Sequence, residues 1–235
     1  MDFTYLIDFA QDVQRLMPQI MEGLAVTLKL FVMTLVLSIP LGLVLSLGRI
    51  SKIKPLKAII QLYLLVFRGT PLMLQLFFFY FGLPFIAFAN PFGGAAIKIV
   101  LDRYPAALLA FVLNYAAYFA EIFRGGIIGV NHGQYEASKA LGLNSFKTMR
   151  YVIIPQMIRT VVPPVANETI TLVKDTALVS SIALIDMLKK AQQAVNRDMN
   201  VTAYFVVAVI YLAITLVLTF IFEKTEKRLS VSEKR

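Results

Sequence analysis

One run of the chain, residues 23–47 (GLAVTLKLFVMTLVLSIPLGLVLSL), is almost wholly apolar and has Lys29 as its only charged side chain. At about 1.5 Å of rise per residue, an α-helix of this length crosses the roughly 30 Å hydrocarbon core of a bilayer. Pro40 and Gly42 are compatible with such a helix, because neighbouring helices and local adjustments satisfy the backbone groups that they free. The run therefore predicts a transmembrane helix.

The apolar character of this run extends to the rest of the chain. Of the 235 residues, 58% are hydrophobic and 16% are charged, and a soluble domain of this size cannot cover so much apolar surface. We predict an all-α integral membrane protein with one transmembrane domain over residues 21–222. Its five transmembrane helices are predicted at about residues 23–47, 58–85, 104–123, 151–173 and 201–222.

Two of these spans carry interruptions. Span two contains Arg68-Gly69-Thr70-Pro71, a polar stretch with two residues that are unfavourable inside a helix. Span four passes Pro163 and Pro164, each of which removes a backbone donor and clashes with the preceding turn. We therefore expect span four to break there, close to Asn167 and Glu168.

The segments outside the spans are polar or amphipathic. Residues 1–20 place apolar side chains at helical spacing with charged residues on the other faces, which predicts an interfacial helix that ends near Pro18. Residues 86–103 are predicted to form a loop, and residues 127–150 form a long polar segment. Residues 223–235 are predicted to be a charged tail.

The distribution of basic residues predicts the orientation of the chain. Thirteen of the 23 Lys and Arg residues lie in the loop 49–57, the segment 124–150 and the tail 223–235. The positive-inside rule places these segments in the cytoplasm, so five spans give an external N-terminus and a cytoplasmic C-terminus. The basic residues alternate with apolar spans and form no stripe, which argues against a nucleic-acid partner.

The rare residue types exclude several kinds of chemistry. The chain has no cysteine and one histidine, His132, so disulfides, thiolate sites and histidine-rich metal clusters are excluded. A Ser-His-Asp triad would require His132, which lies in a polar loop away from any G-x-S-x-G turn. The phosphate-binding pattern G-x-x-x-x-G-K-[ST] is also missing. We therefore predict no catalytic residue, no metal site and no cofactor bound by this chain.

The polar segment before span four has the pattern of two helices joined by a tight turn. Residues 135–141 (YEASKAL) favour a helix, and Gly142 suits the left-handed conformation at its end. Asn144 or Ser145 is then suited to cap the next helix. The first helix mixes apolar and charged side chains, a surface that suits a protein partner.

The order of residues in this segment resembles a known motif. Glu136-Ala137-Ser138, then Gly142 and then Pro155 stand at the spacing of the EAA loop of importer-type ABC transporter permeases, with Ser138 in place of a third small residue. Further stretches resemble the branch of that family that takes up polar amino acids: residues 23–28, 68–72, 114–126, 133–137 and 174–178. The resemblance covers the chain from about residue 20 to the tail.

This resemblance implies the other parts of an importer. They are a second permease chain (an identical copy or a paralogue), two cytoplasmic ABC ATPase subunits that bind ATP and Mg²⁺, an external solute-binding protein and an amino-acid substrate. It also implies the type I ABC importer permease fold in a bacterial inner membrane, with alternating access driven by the ATPase subunits. The residues expected to couple this chain to the ATPase are Tyr135, Glu136, Ala137, Ser138, Leu141 and Gly142.

Polar residues within the spans predict the substrate path. A charged side chain at the bilayer centre costs about 2.5–3.5 kcal/mol on insertion scales, so it requires a partner or water. Glu168 offers an acceptor for the ammonium of an amino acid, and mildly favours cationic substrates such as arginine, lysine or histidine. Arg68 has either a substrate carboxylate or a structural acid as its partner. The residues predicted to line the path are Arg68, Thr70, Asn114, Tyr118, Asn167, Glu168 and Thr171.

Two alternatives stay open at this point. Glu121 and Arg124 stand three residues apart, and a simple ion pair at the headgroups accounts for both. An ion-coupled secondary amino-acid carrier, in which Glu168 and Asp175 relay protons or bind sodium, is the alternative function. Such a carrier predicts uptake that is driven by a gradient and needs no ATPase subunits.

Overall fold

The structure is a computed structural model that describes residues 3–88 and 97–231. Within these residues nine α-helices follow one another: α1 (Phe3–Ile50), α2 (Lys54–Gly69), α3 (Leu72–Phe77), α4 (Arg103–Gly129), α5 (His132–Ala140), α6 (Ser145–Thr148), α7 (Ile154–Asp175), α8 (Met187–Asp198) and α9 (Thr202–Val231). Short π-helical or 3-10 segments lie between some of them: Phe78–Gly82, Leu83–Phe85, Met149–Ile153 and Thr176–Ile182. The prediction of an all-helical chain is confirmed.

The predicted loop at residues 86–103 contains one small exception to the helical pattern. Two strands of two residues each, β1 (Ala87–Phe88) and β2 (Ile97–Lys98), pair antiparallel, with Ala87 opposite Lys98. The middle of this loop, residues 89–96, lies outside the described residues, as do residues 232–235 of the predicted tail.

Within the described residues, three helices are long and apolar enough to cross a membrane: Phe9–Ile50, Arg103–Gly129 and Thr202–Leu229. A fourth span results when α2 and the helical segment Leu72–Phe85, which are separated by a break, are counted together. The break lies at Thr70–Pro71, where the sequence predicted an interruption. α7 has 22 residues and occupies the position of predicted span four, but it is less apolar.

The predicted interfacial helix at residues 1–20 is wrong as a separate element. α1 continues without a break through Pro18 and on to Ile50. Leu16 and Ile20 are buried in a cluster with Met187 and Ala191 of α8, and burying such side chains contributes about 1.5–3 kcal/mol each. This packing offsets the cost of about 3 kcal/mol for a proline inside a helix.

The predicted break of span four is also wrong. α7 remains helical through Pro163 and Pro164. Met157 and Val161, in the preceding turns, are buried and pack against α4 at Gly126. Tertiary packing therefore lets α7 continue as a helix, although the backbone donors of Pro163 and Pro164 are missing. Pro155 follows directly on the π-helical segment Met149–Ile153, whose wider turn ends where α7 begins.

Several predicted boundaries are shifted in the structure. α4 extends six residues beyond residue 123, because Gly126 serves close helix packing and does not end the helix: a Cβ there would lie 2.2 Å from Cγ1 of Val161. α9 extends through Val231, so most of the predicted tail is helical. α2 starts at Lys54, four residues before the predicted start.

The described chain divides into two compact units, each with its own core. The first comprises the described residues within 3–34, 70–88, 97–112 and 171–216, and its core contains a cluster of α1, α8 and α9 side chains. The second comprises residues 35–69, 113–170 and 217–231, and its core contains Ile60 and Leu64 of α2 packed on Ala117 and Ala120 of α4.

The stretch GLAVTL at residues 23–28 has a structural explanation in the first unit. A Cβ at Gly23 would lie 2.6 Å from the carbonyl oxygen of Asp186, so only glycine lets the chain before α8 approach α1 this closely. Thr27 is buried, donates to the carbonyl of Gly23 and accepts from the amide of Met187, both at 3.2 Å. Asp186 is fully buried and caps α8 by accepting from the amide of Lys189 at 2.8 Å.

Candidate functional site

Arg68 and Tyr118, two of the predicted path residues, lie together in the second unit. The Cζ of Arg68 is 5.5 Å from the centroid of the Tyr118 ring, which is a cation–π distance. Nη1 of Arg68 lies 3.9 Å from Oε1 of Glu121, and Arg124 donates to Oε2 of the same carboxylate at 2.7–2.8 Å. The Glu121–Arg124 pair predicted from the spacing is thus present, and Arg68 is a looser third member.

Asn114 caps the end of α2. Its side chain is buried, and Nδ2 donates to the carbonyl oxygen of Phe67 at 2.9 Å. The last four carbonyls of a helix have no partners within it, and the break after Gly69 creates such an end. The described contact of Asn114 is therefore with the backbone of the broken helix.

Thr70 lies inside this break and accepts two hydrogen bonds from one side chain. Nε2 of Gln75 donates to the carbonyl oxygen of Thr70 at 3.0 Å and to its hydroxyl at 2.9 Å. Gln75 is buried, and sequence reasoning missed it. The available signal was one amide side chain in an otherwise aromatic and aliphatic run just after the break.

The predicted path residues of α7 lie on a different helix from Arg68 and share one of its faces. Thr160, Pro163, Asn167, Thr171 and Lys174 are all exposed and follow one another at intervals of three or four residues. Glu168 is half-buried at the edge of this face. α9 differs, because its exposed side chains over most of its length are large and apolar. α7 thus presents a largely polar exposed face, in contrast to α9.

The segment before α7 forms the predicted helix, tight turn and second helix. Asn131 caps α5 by accepting from the amide of Gly133 at 2.8 Å. Gly142 has a φ of +72°, the left-handed conformation expected of it. Asn144 caps α6 by accepting from the amide of Lys147 at 2.9 Å. The local structure of the segment is confirmed.

The predicted coupling residues divide into buried and exposed ones. Ser138 is buried and donates to the carbonyl of Gln134 at 2.7 Å, and Tyr135 is half-buried. Glu136, whose carboxylate lies 3.2 Å from Nδ1 of His132, is exposed. The remaining members Ala137, Leu141 and Gly142 are exposed as well. The exposed members alone are accessible to a partner.

Sequence reasoning missed two large apolar side chains beside this set. Phe146 of α6 is 75% exposed and Tyr151 is 68% exposed, similar to Leu141 at 78%. Their signal was present in the sequence as aromatic residues within a basic segment. Leu141, Phe146 and Tyr151 are thus three exposed apolar side chains of one short segment, and we call them the apolar docking surface.

A cavity of about 570 Å³ lies in the first unit at the start of α4. Its lining includes the charged residues Asp102 and Arg103 and the aromatic residues Tyr80 and Tyr104. Nζ of Lys29 lies 4.9 Å from the centroid of the Tyr104 ring. The sequence did not point to this cavity. In the described part of the chain, no group of three or more His, Cys, Asp or Glu side chains is arranged to hold a metal ion.

Comparison with known proteins places the chain in a family. The family model described as "Binding-protein-dependent transport system inner membrane component" matches residues 38–231. The chain belongs to this family of importer permeases. The permease is similar over its whole length to the arginine transport system permease protein ArtQ of Bacillus subtilis, with 39% identity over 97% of this chain and 99% of ArtQ.

Other relatives of the permease carry different substrate names. The L-cystine transport system permease protein TcyB of Bacillus subtilis is 35% identical over 92% of this chain and 88% of TcyB. The putative glutamine transport system permease protein GlnP of Rickettsia bellii is 34% identical over 98% of this chain and 100% of GlnP.

Solved structures also match the permease. One, described as an amino acid ABC transporter with histidines, has a TM-score of 0.80 at 34% identity and covers 97% of this chain and 99% of its own. An inward-facing structure of the MetNI methionine ABC transporter has a TM-score of 0.66 at 19% identity, over 91% of this chain and 95% of its own, and shows the fold alone.

These similarities decide the class of protein. The permease is a membrane-embedded, non-catalytic subunit of an ABC importer for amino acids, and separate ATPase subunits hydrolyse ATP. The predicted importer fold is confirmed. The alternative of an ion-coupled carrier is not favoured.

Proposed function

We propose that this permease conducts polar amino acids, with cationic ones favoured, along a path lined by the polar face of α7. The observation that carries this proposal is the row of exposed polar residues on that face. Polar groups are costly in contact with hydrocarbon. The face is therefore directed at water or at a second permease chain, and a path between two chains supplies both.

The chemistry of this face suits a zwitterion. The carboxylate of Glu168 accepts hydrogen bonds from an ammonium or guanidinium group, while Asn167 and Thr171 offer an amide and a hydroxyl. An acid on the path favours substrates with additional positive charge. The names of two similar proteins, one an arginine permease and one a transporter with histidines, support this preference.

The apolar docking surface supports a mechanism in which a partner ATPase moves this chain. Burial of a large apolar side chain contributes about 1.5–3 kcal/mol of favourable free energy. Leu141 and Phe146 are exposed, so they contribute this free energy only when a partner covers them. We assign them, with Glu136, to the contact with one of two cytoplasmic ABC ATPase subunits, which hold ATP and Mg²⁺. Closure of the ATPase would then produce alternating access through α5.

The proposal includes an orientation and further partners. The N-terminus is external and the C-terminus is cytoplasmic in a bacterial inner membrane, as the positive-inside rule requires. A solute-binding protein delivers the amino acid from outside. The second permease chain is either an identical copy or a paralogue.

The substrate preference is tested by ATP-driven uptake in proteoliposomes that contain the complete complex and its binding protein. We expect arginine, lysine or histidine to be taken up faster than glutamate or glutamine. Glu168→Gln is expected to lower uptake of the cationic substrates by roughly tenfold, the effect of one lost charge-assisted hydrogen bond. Glu223→Gln, which removes an exposed acid on α9 outside this face, is the matched control for loss of a carboxylate. Preferred uptake of glutamate, or full arginine uptake by Glu168→Gln, would contradict the proposal.

A further inference from the structure

The charges around Arg68 do not balance. Oε2 of Glu121 accepts from both Nε and Nη2 of Arg124, at 2.8 and 2.7 Å. Its other oxygen is 3.9 Å from Nη1 of Arg68, which is beyond hydrogen-bond range. A guanidinium keeps its charge at any physiological pH. Two guanidinium groups therefore share one carboxylate, and the cluster carries one net positive charge.

Arg68 is accessible, and it belongs to predicted span two, where charge is costly. Its side chain is 42% exposed, and it lies 14 residues after Lys54, or about 21 Å along α2. The residue one turn earlier is Leu65, so α2 supplies no acid at that position. A half-exposed cation within a bilayer requires an anion or water. The carboxylate of a substrate that passes along the path is such an anion.

Two neighbours hold the guanidinium in place. The ring of Tyr118 lies beside it at 5.5 Å, and a ring face orients a cation without neutralising it. Asn114 ties the carbonyl of Phe67, the residue before Arg68, to α4. The end of α2 that carries Arg68 is therefore fixed while its hydrogen-bond donors stay available.

We propose that Arg68 binds the carboxylate of the transported amino acid, with Tyr118 as its positioning residue and the Glu121–Arg124 pair as its resting counter-charge. This inference rests on the proposed function and names the part of the substrate that Arg68 recognises. The planar guanidinium matches a carboxylate with two parallel hydrogen bonds. Glu121 retains Arg124 when Arg68 turns to the substrate, so no carboxylate is left without a partner.

The structure also argues against a purely structural Arg68–Glu121 pair. A structural pair would place the guanidinium at hydrogen-bond distance from the carboxylate, as Arg124 is. Arg68 is instead the more distant of the two cations, at 3.9 Å from Glu121 against 2.7 Å for Arg124. Arg68 interacts more weakly with Glu121 than Arg124 does, so a second carboxylate can bind Arg68 in place of Glu121.

The test is equilibrium binding of radiolabelled arginine to the purified permease–ATPase complex in detergent, with agmatine, the decarboxylated amine, as competitor. For the wild type we expect arginine to bind at least about tenfold tighter than agmatine, the value of a charge-assisted pair. In Arg68→Gln the affinity for arginine is expected to fall to that for agmatine, while the agmatine affinity stays the same. Tyr118→Leu is expected to reduce the ratio partly, and Tyr118→Phe to restore it.

The outcomes separate this inference from the proposed function. A wild-type complex that binds and imports no amino acid contradicts the proposed function. A wild-type complex that binds arginine, together with an Arg68→Gln variant that still prefers arginine to agmatine, overturns the role of Arg68. Equal losses for both ligands in Arg68→Gln also overturn it, because they indicate a structural role. Arg68→Lys, which keeps the charge, guards against misfolding and is expected to retain part of the preference.

Discussion

The two polar regions of this permease are built in opposite ways. The junction of α1 and α8 buries Gly23, Thr27 and Asp186 and uses their polar groups to join two helices. The region of Arg68 leaves its cation half exposed and too far from its carboxylate for a hydrogen bond. Buried polar groups with fixed partners hold the fold, whereas an accessible group with an unbalanced charge is available to a ligand. Changes at the junction should therefore alter stability, and changes near Arg68 should alter selectivity.

The largest effect on stability is expected at Gly23. In Gly23→Ala the new Cβ would lie 2.6 Å from the carbonyl oxygen of Asp186 and 2.7 Å from Cα of Met187, both backbone atoms that cannot move aside. Such overpacking costs about 3 kcal/mol. The free energy of unfolding of the purified complex, measured by denaturant titration, should fall by this amount.

The matched control for this change is another helical glycine. Gly125 has no atom within 4 Å of an added Cβ, so Gly125→Ala should be neutral or should stabilise the helix by about 0.5–1 kcal/mol. If the two variants were equally stable, the close approach of α1 to the start of α8 would be wrong.

The next effect depends on pH and concerns Asp186. Burial raises the pKa of Asp186 from 3.8 to about 6. The backbone amides that donate to its carboxylate and the charge of Lys189 lower the pKa, but by less than burial raises it. Tyr211 of α9 faces the same group. Oδ2 has no hydrogen-bond partner within the described residues. Relative to the unfolded chain, the folded protein therefore favours the protonated form of Asp186.

The sign of the pH effect follows from this raised pKa. The stability that the neutral carboxyl contributes is present below pH 3.8 and is lost as the pH rises through 6. The total change is up to about 3 kcal/mol. Asp186→Asn keeps a capping side chain but does not titrate, so its stability relative to wild type should rise between pH 4 and 7. A constant difference over this range would show that Asp186 is ionised in the folded protein throughout.

The smallest effect is expected at two asparagines, Asn114 and Asn167, which the sequence analysis both assigned to the substrate path. Asn114→Ala removes a buried hydrogen bond to Phe67 and should destabilise the permease by about 1–2 kcal/mol. Asn167→Ala changes an exposed side chain and should alter stability by less than about 0.5 kcal/mol. Asn167→Ala should instead change the uptake rate of the amino acid. The assignment would be wrong if thermal unfolding showed the larger loss of stability in Asn167→Ala and the uptake assay showed the larger change in Asn114→Ala.

Local signals in the sequence were sufficient for part of this structure. The helix ends at Gly142 and Asn144 depend on a few neighbouring residues, and the apolar runs depend on composition, so both were predictable. The sequence assigned both Arg68 and Tyr118 to the path as polar side chains within the spans, but it did not predict that the two side chains are neighbours. The structure shows that the Glu121–Arg124 pair lies next to Arg68.

Other features depend on distant contacts and were not predictable. Pro18 and Pro163 lie inside continuous helices because packing by other helices outweighs the local loss of a hydrogen bond. Asn114 caps a carbonyl that lies 47 residues earlier in the chain, and only the break in span two makes this carbonyl available. Such roles require knowledge of the tertiary structure.

The central claim is that separate ATPase subunits drive this chain through the exposed surface of α5 and α6. The most direct test is uptake of labelled amino acid into proteoliposomes that contain the complete complex, with and without enclosed ATP. Glu136→Lys and the double variant Leu141→Ala/Phe146→Ala are compared with Lys139→Ala, an exposed control on α5. We predict that wild type and Lys139→Ala take up the amino acid only when ATP is enclosed. Glu136→Lys and Leu141→Ala/Phe146→Ala should lose this uptake although the permease stays folded. Uptake driven by an ion gradient without ATP, or wild-type uptake in Glu136→Lys, would contradict the account.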